Sequence, residues 1–176
     1  MAKTRGFRRK RDGRIELVLD GVEADVLRRV TDDIAEIVAS PPDDAMRDRL
    51  YPRAYLDPTE EEGEVLFRAR LQDELVRNRL AALEVITDTL APAEGGGVIS
   101  VVLDEDAQQA WLTATNDARL VLGTMLDVSE DEPLEFAEDD PRFTYALIYD
   151  WLTQLQWQLV ECLSAGLGTG GTDDER

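Results

Sequence analysis

Residues 15–27 read IELVLDGVEADVL, and the change of period at Asp20 inside this stretch sets the fold class. Before it, Ile15, Leu17 and Leu19 alternate as the apolar face of a strand. After it, Val26, Leu27, Val30, Ile34, Ile37 and Val38 recur at helical spacing until the SPPDD run that begins at Ser40. Asp20 is placed to accept from the unpaired amides that open the helix, and Glu23 stands at the reciprocal capping-box position.

Upstream, Gly6 to Leu19 reads as a β-hairpin about Asp12-Gly13, a dipeptide suited to a type I′ turn. Arg14 to Leu19 is then the inner strand, and the basic side chains before the turn lie on an edge, where charge discourages mispairing. The first fourteen residues hold seven basic side chains against the single acid Asp12, within a protein of net charge −19. The remainder is therefore strongly acidic, a poor match for phosphate backbones and a good one for basic protein surfaces.

Downstream, Pro41, Pro42, Pro52 and Pro58 break residues 40 to 63 into an irregular connection, with a short helical turn near Ala45 to Leu50 and with Tyr51 and Tyr55 packing it back onto the body. A long helix from Glu64 to Leu90 follows, with Phe67, Leu71, Leu75, Leu83, Ile86 and Leu90 on one face, drifting at Asn78 and Arg79. Pro92 and a Gly-rich run end it. Then ISVVLDEDAQQAW, residues 99–111, echoes the opening stretch: Ile15/Ile99, Val18/Val102, Leu19/Leu103 and Asp20/Asp104 coincide, with Leu27 answered by Trp111. Either an ancient duplication or the common chemistry of strand-to-helix turns accounts for the echo; in both cases the two strands are expected side by side in one small sheet. A helix from Glu105 to Leu126 presents Trp111, Ala114, Ala118, Val121, Leu122 and Met125. An acidic loop, Asp127 to Asp140, leads to a last helix from about Pro141 to Ala165 with Ile148, Trp151, Leu152, Leu155, Leu159 and Leu163 on one face.

The expected fold is α+β: the hairpin plus one further strand in a small antiparallel or mixed sheet, packed against about four main helices. Residues 1–165 form one domain with a flexible basic start at 1–6, and 166–176 a disordered tail. The absence of a long apolar run or signal-like segment points to the cytoplasm.

The residues exclude most chemistry. There is no histidine and one cysteine, Cys162, which removes the usual general base, the commonest metal ligand and any intrachain disulfide. The loop from Asp127 to Asp140 carries eight acids and no base, but lacks the alternating ligands and central glycine of a calcium loop and reads as solvated. Glu60, Glu61 and Glu62 read as an acidic lead into the next helix. No catalytic, cofactor-binding or metal residue is assigned. Cys162 is the one candidate redox residue, and its helical phase beside Leu155 and Leu159 argues for burial. Arg5, Arg8, Arg9, Lys10, Arg11 and Arg14 are the candidate partner or nucleic-acid contacts. Asn116 to Arg119 and Tyr149 to Trp151 form a polar clamp between two helices, with an Arg119–Asp150 ion pair as the simplest closure. Trp111, Trp151 and Trp157 read as core or interface.

Three stretches together carry a resemblance: LYPRAY (50–55), AWLTATNDARLVLGTML (110–126) and YDWLTQLQWQLVECL (149–163). The chain resembles an actinobacterial family, long catalogued as a domain of unknown function, known for the oxidative-stress regulator AosR. The most specific positions are Trp111, Leu112, Asn116, Asp117, Arg119, Leu120, Gly123 and Thr124 in one block, and Tyr149, Asp150, Trp151, Leu152, Thr153 and Gln156 in the other. The resemblance implies a non-enzymatic transcriptional co-regulator without cofactors, binding a sigma factor or RNA polymerase, with a C-x-x-x-C redox pair. That pair is absent here, so no redox residue is carried over. A DNA-binding module using the hairpin, or a homodimeric interaction protein, are the alternatives, and long apolar helical faces make a homodimer the expected state.

Overall fold

The computed structural model describes residues 5–39, 49–51, 61–93, 97–129 and 134–167. Strands β1 (Gly6–Arg9) and β2 (Ile15–Leu19) form the hairpin, and helix α1 (Gly21–Ala39) follows β2 directly. Helix α2 (Glu61–Leu90) leads through a 3₁₀ turn (Ala91–Ala93) to strand β3 (Ile99–Leu103) and helix α3 (Glu105–Met125). Helix α4 (Phe143–Leu167) closes the fold. The α+β class holds, with an antiparallel sheet in the order β1-β2-β3.

The hairpin turn differs from a type I′ turn. Within the turn, residues 11–13, Gly13 alone has positive φ, +85°; the Lys10 amide donates to the Arg14 carbonyl at 2.8 Å, and the Gly13 amide to the Lys10 carbonyl at 3.0 Å. This is a three-residue loop with glycine at the left-handed position. Asp12 turns its carboxylate onto the Arg14 amide and guanidinium instead of entering the left-handed region. The consequence is register: Arg8 pairs with Glu16 and Phe7 with Leu17, whereas a two-residue loop would set Arg9 against Glu16. A shift of one residue sends every side chain of β1 to the other face.

The capping box forms as expected. The Glu23 amide donates to Asp20 Oδ1 at 2.9 Å, and the Asp20 amide to Glu23 Oε2 at 2.8 Å. In the second unit Asp104 Oδ1 accepts from the Ala107 amide at 2.8 Å. The echo of residues 15–27 in 99–111 acquires a geometry: β2 and β3 are antiparallel, Ile15 against Leu103, Leu19 against Ile99, and Leu17 against Val101, its own counterpart. The two strands are thus related by a local twofold through the Leu17–Val101 pair.

Both units bury their last apolar residue, Leu27 and Trp111, in one core with Ile34, Ile86, Leu152 and Leu159. Tyr51 is in that core as expected. The C-terminal half of α2 packs through Leu83, Ile86 and Leu90, but Leu71 and Leu75 on its N-terminal half are exposed, and Arg79 turns inward. Met125 is exposed, unlike the rest of the α3 face. α2 begins at Glu61, three residues before the expected start, and Glu61 and Glu62 are exposed in its first turn. α4 starts two residues past Pro141 and runs through Leu167, so Gly166 and Leu167 belong to it, just as Gly6 belongs to β1. Arg49 and Leu50 are helical. The expectations for residues 1–4, residues 45–48, Tyr55, Glu60, the four prolines between 41 and 58, acids 130–132 and the tail beyond 167 lie outside the described residues.

Candidate interaction site: the helix seam and the basic hairpin

The two sequence blocks face each other where α3 packs against α4. Arg119 donates from Nε to Thr153 Oγ1 at 2.9 Å and from Nη1 to Gln156 Oε1, and its guanidinium lies 5.5 Å from the centre of the Tyr149 ring. Gln156 Nε2 reaches Asn116 Oδ1 at 3.5 Å. Thr124 and Thr153 return their hydroxyls to the Leu120 and Tyr149 carbonyls. Gly123 faces the Tyr149 ring, where a Cβ would meet Cε2 at 3.4 Å, an ordinary van der Waals contact. The clamp therefore exists, but its partners are Thr153 and Gln156, and Asp150 is exposed.

Asp117 faces the opposite way and is 3% exposed. Its Oδ2 lies 2.9 Å from Arg79 Nε of α2, out of line with the N–H, so the contact is an ion pair more than a hydrogen bond. Arg79 also covers the Tyr51 ring at 4.8 Å. Burial pushes the Asp117 carboxyl up, with Arg79 partly opposing it. Sequence reading missed Arg79 because its i+4 neighbour Leu83 made it look like a lapse in an apolar stripe. A basic residue within such a stripe is the signal that was available.

Of the hairpin cations, Arg8 donates from Nε, at 2.7 Å, and from Nη2 to the same Glu16 oxygen, Oε2. Glu16 is 6% exposed and also accepts from Ser100 Oγ at 2.6 Å. The Ser100 hydroxyl and then Arg8 hold its carboxyl below the usual range. Arg5 reaches Asp20 at 2.8 Å and Glu23 at 3.7 Å, Arg14 pairs with Asp12, and Arg9 donates to the Cys162 carbonyl at 3.0 Å. Lys10 is partly exposed and Arg11 exposed at the hairpin tip. The Phe7 amide donates to Gln158 Oε1 at 3.0 Å, and the Phe7 ring meets Trp111 edge-on with centroids 5.4 Å apart. The arm is bound to its own body.

Cys162 is buried, and burial pushes its thiol up against the opposing pull of Arg9. A protonated, enclosed thiol is a weak nucleophile. Of the tryptophans, Trp111 is enclosed, Trp151 is packed against the core and Trp157 is 64% exposed. Among the described residues no three His, Cys, Asp or Glu side chains converge as a metal site, and no helix is long and apolar enough to cross a membrane.

No solved structure matches the fold. The oxidative stress regulators AosR of Mycobacterium bovis and Mycobacterium tuberculosis are each 33% identical over 133 residues, covering 69% of this chain and 59% of theirs. The putative oxidative stress regulator AosR of Mycobacterium leprae is 34% identical over 124 residues, covering 70% and 54%. The chain thus spans little more than half the length of these relatives. The model of one family, described as a domain of unknown function (DUF2017), matches residues 4–163. That span takes in the hairpin, the capped helices and the α3–α4 seam, and the chain belongs to the DUF2017 family.

Proposed function

We propose that this chain is a non-enzymatic regulator in an oxidative-stress response, acting in the cytoplasm by binding a sigma factor or RNA polymerase. The observation that carries the reading is the way the most specific motif residues are used. Asn116, Arg119, Gly123, Tyr149, Thr153 and Gln156 join α3 to α4, and Asp117 joins α3 to α2. They build a scaffold, and what it presents outward is a surface of high negative charge. Such a surface attracts basic protein partners over a distance set by salt. The curated relatives carry the name of oxidative stress regulators, which supplies the biological setting.

One cysteine in these 176 residues cannot form an intrachain disulfide, and burial protects it. Any response to oxidant in this chain takes another route than a two-cysteine switch.

The test is retention of purified polymerase core and sigma factors on the immobilised chain. Binding at low salt that fades over roughly a tenfold rise in salt is expected; no polymerase subunit held at low salt removes the reading. Mass measurement after peroxide should show Cys162 without oxygen adduct or disulfide-linked dimer. The exposed hairpin tip at Lys10 and Arg11 favours DNA as the second reading. A low-salt gel shift abolished by reversing those two charges would promote it over the first.

A further inference from the structure

We propose that the groove between α1 and α4 is the docking site for a basic amphipathic helix of a partner protein. The proposal rests on the reading that this chain acts by binding protein. Helices α1 and α4 each pack on α3 without packing extensively on one another. Between them lies an open groove of about 700 Å³, with Val121 and Leu122 of α3 as its floor. Val30 and Ile37 of α1 form one wall, and Tyr145 and Ile148 of α4 the other.

Three features select the occupant. The first is shape: the α1 wall runs from Val26 to Ile37, about 16 Å of helix at 1.5 Å per residue, or three turns. An open trough of that length between two helices accepts a third helix laid along it, with anchors at i, i+3 or i+4, and i+7. The second is polarity: Met125 and Tyr145, both lining the groove, are 45% and 43% exposed. Apolar surface gathered in one concave strip marks an interaction site better than the same residues scattered.

The third is charge. Asp33 and Glu36 line the α1 side against the single cation Arg29. The chain as a whole carries a net charge of −19, so the groove lies in a negative field. An apolar floor bordered by net negative charge is complementary to a helix with a leucine-like stripe and Lys or Arg flanks.

The experiment measures fluorescence anisotropy of two synthetic helices of about 14 residues, with one leucine stripe and either lysine or glutamate flanks, titrated with the full chain. The lysine peptide should bind roughly tenfold tighter than the glutamate one. Met125→Glu and Tyr145→Glu should each weaken it roughly fivefold or more, while Trp157→Glu, outside the groove, leaves it unchanged. Far-UV circular dichroism checks that each variant is folded. Equal binding of both peptides, or lysine-peptide binding indifferent to Met125→Glu and Tyr145→Glu, overturns the proposal. So does a dimer in sedimentation that Tyr145→Glu dissociates, since a second copy then covers the groove. If the wild-type chain and the Tyr145→Glu variant retain polymerase equally, the groove falls and the regulator reading stands. If the wild-type chain retains none, that reading falls and the peptide titration still decides the groove.

Discussion

The two strand, cap and helix units, residues 15–27 and 99–111, share their local design and differ in what surrounds them. β2 is the central strand and all five of its residues are buried; β3 is an edge strand on which only Ile99 and Leu103 are buried. Asp20 and Asp104 cap in the same way, but only Asp20 has a reciprocal glutamate and an arginine, Arg5, beside it. Leu27 at the end of the first unit is answered by Trp111, which also receives the Phe7 ring. Similar local patterns therefore bear unequal tertiary loads, because position in the sheet sets how much each residue excludes water.

The largest test of this inequality is at the buried ends. Trp111→Ala should destabilise by about 4 kcal/mol and Leu27→Ala by about 3 kcal/mol, from lost burial plus the cavity left behind. Urea unfolding reads both, and equal losses would mean that the Phe7–Trp111 contact adds nothing to the second unit. Next comes the strand pair on the local twofold: Leu17→Ala should lower stability by about 3 kcal/mol, and Val101→Ala, on the half-exposed edge, by about 1 kcal/mol. A reversed order would show that β3 is covered in solution.

The caps are a smaller test. Asp20→Ala should lower stability by about 1–2 kcal/mol and Asp104→Ala by about 1 kcal/mol. The gap should close in Glu23→Ala, where the first cap loses its reciprocal partner.

The smallest effect concerns the two enclosed acids, Glu16 in the first unit's strand and Asp117 in the second unit's helix. Glu16 is held below the usual range, so its contribution is complete above the pKa of an unfolded glutamate and is lost as pH falls through the folded value. Asp117 is pushed above the usual range, so in the window between its unfolded and folded values the folded chain binds the extra proton and stability rises as pH falls. In denaturation midpoints followed from neutral to acid pH, Glu16→Gln should flatten part of the acid loss, and Asp117→Asn should steepen it. Matching slopes for both variants would contradict the opposite shifts.

Much of this was legible from the chain. The capping box needs only residues 20 to 23, and the helical faces of α1, α3 and α4 follow from spacing. The hairpin was legible in position but not in register, because Asp12-Gly13 permits two loop lengths and the choice rests on where Phe7 and Arg8 find partners. The polar clamp was legible on its two helices, yet an Arg119–Asp150 pair is what the sequence suggests where Arg119 in fact meets Thr153 and Gln156, since opposite charge is visible in sequence and helix rotation is not. Arg79–Asp117 joins residues 38 apart, and no local rule couples them.

The sequence by itself determined the α+β class, the strand-to-helix switches at Asp20 and Asp104, the absence of a second cysteine and the acidity of the surface. These depend on short-range hydrogen bonding, periodicity and composition, which act within a few residues. Only the tertiary structure decided that β2 lies in the centre, that the basic arm is tied to Glu16, Asp20 and the Cys162 carbonyl, and that α1 and α4 stand apart over an apolar floor. Those depend on which distant surfaces exclude water together, and burial is a property of the assembled helices and sheet.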